Sequence, residues 1–112
     1  MFLIYRNTHD EQLSAIRTYT DTLQDYYAPA LNMVLACYAI RNIVNSCPHI
    51  WHTDHAYINL VGITEVLEHM NPNSNSAVAN AINLMISTVD NALYEADFAT
   101  LDPFEHLENL RF

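Results

Sequence analysis

The sequence predicts an all-α protein, a compact bundle of four main helices around a buried central helix 2, with a short fifth helix at the C-terminus. Gly62 is the only glycine, which argues against a β-rich fold with many tight turns. Hydrophobic residues make up 51% of the chain, enough for a packed core. Apolar residues recur at the three- and four-residue spacing that is typical of helices. Only the N-terminal segment MFLIY could instead form a short strand. At 112 residues, the chain 1–112 is one domain.

The central helix is predicted over 29–46, within the apolar stretch that runs from Ala28 to Val44. A helix that is apolar on all sides belongs in a core or in a membrane. This stretch contains an arginine and two asparagines and is shorter than the roughly 20 apolar residues of a membrane span. It therefore predicts a buried helix with helices 1, 3 and 4 around it, starting at Pro29 and ending before Pro48.

Helix 1 is predicted over 8–27. Thr8 and Glu11 have the spacing of a capping box, in which each side chain accepts from a free amide of the first turn. Spacings of three and four place one stripe of side chains on the inner face. The stripe consists of Leu13, Ile16, Thr20, Leu23 and Tyr27.

The second half of the chain predicts three more helices. Residues 47–55 are expected to be irregular or to form a short helical turn, and helix 3 begins near the N-cap candidates Thr53 or Asp54 and reaches Met70. Helix 4 follows the polar loop 73–76 and extends to about residue 100. An aspartate, a proline and a glutamate then repeat the capping pattern, which predicts helix 5 over about 103–111.

Charge is the most unusual feature of the composition. Thirteen aspartates and glutamates face four arginines and no lysine, for a formal charge of −9. Nucleic acid and anionic membranes are bound through clusters of lysine and arginine, so neither is an expected partner. The negative charge instead favours a partner protein with a basic surface. The alternative is that the charge only keeps the protein soluble.

Carboxylates spaced along rigid helices can imitate the phosphates of a duplex and occupy a cationic groove meant for nucleic acid. Tyrosines beside them would supply amphipathic contact area. The alternative is an ordinary solvated face. The predicted partner-binding residues are Asp21, Asp25, Asp90, Tyr94, Glu95, Asp97, Asp102, Glu105 and Glu108.

A histidine-rich segment offers a second hypothesis, a metal site. Imidazole, thiolate and carboxylate are all zinc ligands, and a second group of such residues lies on helix 3. The standard zinc spacings CxxC and HExxH do not occur. The histidines could instead cap helices, with Trp51 packed on the end of the bundle, so no metal and no cofactor are predicted. The alternative metal ligands are His49, His52, His55, Glu65 and His69; Cys47 and Asp54 belong to the first cluster, and Glu68 belongs to the second group.

Catalytic motifs are not evident. A chain with one glycine cannot form a glycine-rich phosphate loop, and no nucleophile elbow occurs. Arg41 and Asn42 resemble the Arg-Asn pair of HEPN-class ribonucleases, but His49 follows too late and beyond a proline, with Ser46 nearer the expected histidine position. Arg41 is expected to pair with a carboxylate, or to lay its stem along the core. The chain is therefore not predicted to be an enzyme.

The leading functional hypothesis is a small non-enzymatic protein that covers a basic, nucleic-acid-binding surface of a partner protein. Phage or mobile-element inhibitors of the DNA-mimic, anti-CRISPR or anti-restriction type fit this description. The alternatives are a metal-binding helical domain, possibly enzymatic, and a homodimeric regulatory module that associates through MFLIY and Phe112. Polar residues interrupt the N-terminal apolar run too early for a signal peptide, so a cytoplasmic protein with two reduced cysteines is expected.

Overall fold

A computed structural model describes residues 8–46 and 48–100, without the side chains of Thr8, His9, Asp54 and residues 97–100. Within these residues the structure is helical and contains no strand, which confirms the all-α prediction. The MFLIY segment and the predicted helix 5 lie outside the described residues. The elements are α1 (Thr8–Gln24), α2 (Ala30–Ser46), a 3₁₀ segment (Pro48–His52), α3 (Asp54–Glu68) and α4 (Ser76–Thr100).

The four α-helices occupy the corners of a bundle in the order α1, α2, α4, α3. Both α1 and α4 pack against α2 and α3, so α1 and α4 lie diagonally opposite each other. Contacts at two levels give the directions. Asp10 meets His55 and Arg17 meets Asn59, so α1 and α3 are parallel. Met33, near the start of α2, is contacted by Asn73 from the loop before α4, and Arg41, near the end of α2, bonds to Thr88 further along α4. Helices α2 and α4 are therefore also parallel. Consecutive helices therefore run antiparallel.

Helix α2 is not the buried centre of this bundle, so that part of the prediction is wrong. Its inner face is buried, from Met33 to Val44, but Leu31, Leu35 and Tyr38 on its outer face are 67%, 55% and 58% exposed. The cause is the packing, because α2 contacts α1 and α4 while α3 lies across the core. No helix in the described part of the chain is long and apolar enough to span a membrane.

The 3₁₀ segment closes one end of the bundle with the only tryptophan. Trp51 is fully buried, and its segment packs against α1, α3 and α4. The indole Nε1–H donates to the backbone carbonyl of Val44 at 3.0 Å. This carbonyl belongs to the last turn of α2, where no intrahelical donor is available. Packing of Trp51 on the bundle end is thus confirmed, and residues 48–52 form the short helical turn.

Helix α1 ends at Gln24, three residues before the predicted end at 27. The carboxylate of Asp25 accepts the backbone N–H of Tyr27 at 3.0 Å, and the carbonyl of Asp25 accepts that of Ala28 at 3.1 Å. Such a local bond from an aspartate side chain competes with continued helix. Tyr27 consequently lies in the turn and is 87% exposed, so its predicted place in the core is wrong.

The remaining helix starts agree with the sequence. The hydroxyl of Thr53 accepts the N–H of Ala56 at 3.4 Å, which identifies Thr53 as the N-cap of α3. The carboxamide oxygen of Asn75 accepts the N–H groups of Ala77 and Val78 at 3.0 and 3.2 Å at the start of α4. Each cap satisfies donors that the first turn of a helix leaves free.

The thiol of Cys37 lies on the inner face of α2 and is fully buried in the core. Burial raises the pKa of this thiol to about 11, although Arg41 and a backbone hydrogen bond oppose the shift. The reactive form of cysteine is the thiolate, so a buried neutral thiol is a poor nucleophile.

Cys37 is expected to resist iodoacetamide at pH 8 in the folded protein and to react readily in urea. The slow reaction in the folded protein follows from the raised pKa, since the reactive thiolate forms appreciably only when the pH approaches about 11. Mass spectrometry of the modified peptides separates Cys37 from Cys47. Rapid labelling of Cys37 without denaturant would show that the core around α2 opens readily.

The substitution Trp51→Phe should lower the free energy of unfolding by about 2–4 kcal/mol, because it removes buried volume and leaves the Val44 carbonyl unpaired. Urea denaturation measures the loss. The matched control is Tyr94→Phe at a 72% exposed site, which should stay within about 0.5 kcal/mol of the natural protein. An equal effect of both substitutions would contradict the role given to Trp51.

Gly62→Ala is expected to raise the free energy of unfolding by about 0.5–1 kcal/mol, because alanine is the better helix former. Gly62 lies on an exposed position of α3, and a Cβ there would meet nothing within 4 Å. The same urea titration tests this expectation. A destabilised variant would show that the space outside Gly62 is occupied in solution.

Candidate functional site

The two predicted partner-binding residues in the first part of the chain, Asp21 and Asp25, lie on a helix flank and in a turn. Arg17 donates to the side-chain oxygen of Asn59, so this flank of α1 faces α3. Asp21 follows Arg17 by one turn and lines the same groove beside Asn59 and Ile58 of α3. Asp25 lies beyond the helix end, where its carboxylate caps the turn. Of the two, Asp21 therefore lies on the α3 side of the bundle.

The acidic residues of α4 point in two directions. Thr88 accepts a hydrogen bond from Arg41 at 3.2 Å, so this flank of α4 faces α2. Asp90 follows two residues later, about 200° further around the helix, and lies on the other flank. Tyr94 is one turn beyond Asp90 and 72% exposed. Glu95 follows Thr88 by two turns, which returns it to the α2 flank.

Helix α3 lies between these flanks of α1 and α4 and carries two exposed carboxylates of its own, Glu65 and Glu68. We refer to Asp21, Glu65, Glu68 and Asp90 as the acidic side. Neither glutamate is among the predicted partner-binding residues. No local signal in the sequence could add them, because only the packing order places α3 between α1 and α4.

The arginines of the described residues bond to neutral groups. Arg17 donates to the amide oxygen of Asn59, and Arg41 donates to the hydroxyl of Thr88 while its guanidinium lies 5.9 Å from the ring centre of Tyr38. The expected carboxylate partner of Arg41 is replaced by this hydroxyl and ring. Arg17 lies beside Asp21 in the same groove, but its hydrogen bond goes to Asn59, so the carboxylates of the acidic side remain open to solvent ions or to a partner.

The predicted partner-binding residues do not form one patch. Asp21 and Asp90 belong to the acidic side, whereas Asp25 lies in the α1–α2 turn and Glu95 faces a small groove beside Trp51. The side chain of Asp97, and the whole of residues 101–112 with Asp102, Glu105 and Glu108, lie outside what the structure describes.

The histidine segment gathers three imidazoles at the Trp51 end of the bundle. The rings of His49 and His52 meet edge to face with centres 5.5 Å apart. Nε2 of His55 lies 3.3 Å from the carboxylate of Asp10. Among the described side chains, no three histidines, cysteines, aspartates or glutamates are placed to share a metal ion. Cys47 and the side chain of Asp54 lie outside that description.

The two other alternative ligands are far from this segment. His69 follows His55 by fourteen residues along α3, a distance of about 21 Å. Its Nδ1 lies 2.7 Å from the backbone carbonyl of Glu65, so Nδ1–H donates and His69 caps the helix end. Glu65 and His69 therefore cannot join the three imidazoles around one ion, and capping of a helix by a histidine is observed here.

A cleft of about 670 Å³ opens at the end opposite Trp51, between the α1–α2 turn and the α3–α4 loop. Apolar residues of the core such as Met33 and Val78 form its floor, and its rim includes Asp25, His69 and Asn73. Its volume is that of a ligand pocket. The sequence does not reveal this cleft, because two loops from separate parts of the chain build it.

Comparison with known proteins adds no assignment. No protein-family model matches the chain, and no curated protein or solved structure matches it significantly. The functional argument consequently rests on the surface of the bundle, where the packing brings the exposed carboxylates of three helices onto the acidic side.

Proposed function

We propose that this protein is a non-enzymatic binding protein whose acidic side docks on a cationic surface of another protein. The observation that carries the proposal is the exposure of Asp21, Glu65, Glu68 and Asp90 on one side of a bundle whose described arginines bond to neutral oxygens. A formal charge of −9 with no lysine adds a long-range field of the same sign.

Such a field favours capture of a basic partner. Complementary potentials steer diffusional encounter and raise association rates, and this gain decreases as salt screens the charges. Because the carboxylates sit on three packed helices, their spacing is fixed before binding. Little ordering entropy then opposes the contact.

The acidic side also has apolar contact area. Ile58 and Val66 on α3 are 67% and 42% exposed, and Tyr94 lies one turn from Asp90. Interfaces combine a desolvated apolar or aromatic centre with a polar rim, so these side chains are suited to close packing beside the carboxylates.

The partner class that fits this chemistry is a nucleic-acid-binding protein, whose cationic groove accepts phosphates spaced along a duplex. Carboxylates on a rigid helical frame would occupy that groove in place of phosphates. The proposed biological setting is an inhibitor encoded by a phage or other mobile element, of the DNA-mimic, anti-CRISPR or anti-restriction type, acting in the host cytoplasm. The charge, the absence of lysine and the small size support this setting.

Asp90→Asn should weaken binding to a partner recovered from host lysate, whereas Glu95→Gln should leave it nearly unchanged. Both substitutions remove one charge from an exposed position of α4, but only Asp90 belongs to the acidic side. Dissociation constants at about 50 and 200 mM salt measure the effect, and the affinity of the natural protein should fall steeply with salt. Duplex DNA should compete with the natural protein for the partner.

Two results would overturn the proposal. One is a partner without a nucleic-acid-binding surface whose affinity is independent of salt. The other is equal loss of affinity in both variants, which would assign binding to the total charge and not to the acidic side.

A further inference from the structure

Helix α2 presents an apolar outer face to solvent. Leu31, Leu35 and Tyr38 are 67%, 55% and 58% exposed and follow one another at spacings of four and three, so they form one continuous stripe. Leu84 on α4 is 54% exposed. The hydrogen bond between Arg41 and Thr88 places these two residues side by side on the parallel helices α2 and α4. Tyr38 and Leu84 each lie about one turn before them, so Tyr38 and Leu84 are at a similar height along the bundle.

This side of the bundle also has no carboxylate in its middle. Helix α2 contains no aspartate or glutamate, and its one charged residue, Arg41, is half-buried. Asp21 of α1 lies on the α3 flank, and Asp90 of α4 lies on the flank turned away from α2. Glu95 lies on the α2 flank of α4, but it follows Leu84 by about 16 Å toward the Trp51 end, and Asp25 lies in the turn at the other end. We define the uncharged side as Leu31, Leu35, Tyr38 and Leu84.

The charge distribution favours one occupant for the uncharged side, a second copy of this chain. A two-fold symmetric contact sets a patch against itself, so the patch must be self-complementary. Two copies with a formal charge of −9 repel wherever carboxylates face carboxylates. The uncharged side avoids that opposition while burying apolar area, and it offers a cationic partner no carboxylate to bind.

We propose that two copies associate through their uncharged sides, with the α2 helices in contact across a two-fold axis near Leu35. Both acidic sides then face outward. This surface differs from the interface through MFLIY and Phe112 that the sequence suggests. The proposal also does not depend on whether the acidic side binds a partner.

The two proposed interactions should respond to salt in opposite ways. Added salt screens the repulsion between two like-charged chains, so self-association should strengthen as salt increases. Binding of a cationic partner through the acidic side should weaken over the same range. The two proposals can therefore fail independently.

The test is sedimentation equilibrium of the full chain at 10–100 μM, concentrations on the order of those at which moderate self-association is detectable. The natural protein should show a mass of twice 12.8 kDa at 300 mM salt and a larger monomer fraction at 20 mM. Leu35→Glu should be monomeric under both conditions because it sets two carboxylates against each other at the axis.

The matched control is Ile58→Glu, the same kind of change at an exposed apolar position on the opposite side. It should remain dimeric at 300 mM salt, and circular dichroism should show both variants folded. A monomeric natural protein at 100 μM would overturn the proposal. So would equal dissociation of the two folded variants, or a dimer that Leu35→Glu leaves intact.

Discussion

The closed end of the bundle depends on one buried side chain. Trp51 reaches the core from a five-residue 3₁₀ segment and donates its indole N–H to the last turn of α2, while its segment contacts the three other helices. Trp51 thus anchors the last turn of α2 to the segment that leads into α3. At the opposite end, the described residues include no comparable plug, and a cleft opens between two loops.

Most of the helices could be predicted from the sequence, because periodicity and capping are local signals. Thr53 and Asn75 cap their helices through contacts within three residues, and Leu13, Ile16, Thr20 and Leu23 are buried as their spacing predicts. Tyr27 fits the same spacing and is nevertheless exposed. The hydrogen bond from its backbone to Asp25 ends the helix first, and a hydrophobic pattern contains no information about that competition.

The position of α2 could not be predicted for a different reason. An apolar composition shows that a helix avoids water, but it does not distinguish burial within the chain from a face left open on its surface. The acidic side has the same origin, since Glu65 and Glu68 become neighbours of the α1 and α4 carboxylates only through the order of packing. Both features are properties of the tertiary arrangement, and together they place the acidic side and the uncharged side on different faces of the bundle.

The parallel pairing of α2 and α4 bears on how the chain reaches this structure. The adjacent antiparallel pairs are α1 with α2 and α3 with α4, and each is joined by a short connection, so its contacts can form early at little cost in loop entropy. Arg41 and Thr88 are 47 residues apart, and they can meet only after α3 has carried the chain along the bundle and α4 has returned it. Docking of α4 onto α2 consequently closes a long loop, as does docking of α1 onto α3, where Arg17 and Asn59 are 42 residues apart. The α2–α4 step completes the core around Cys37 and Met85.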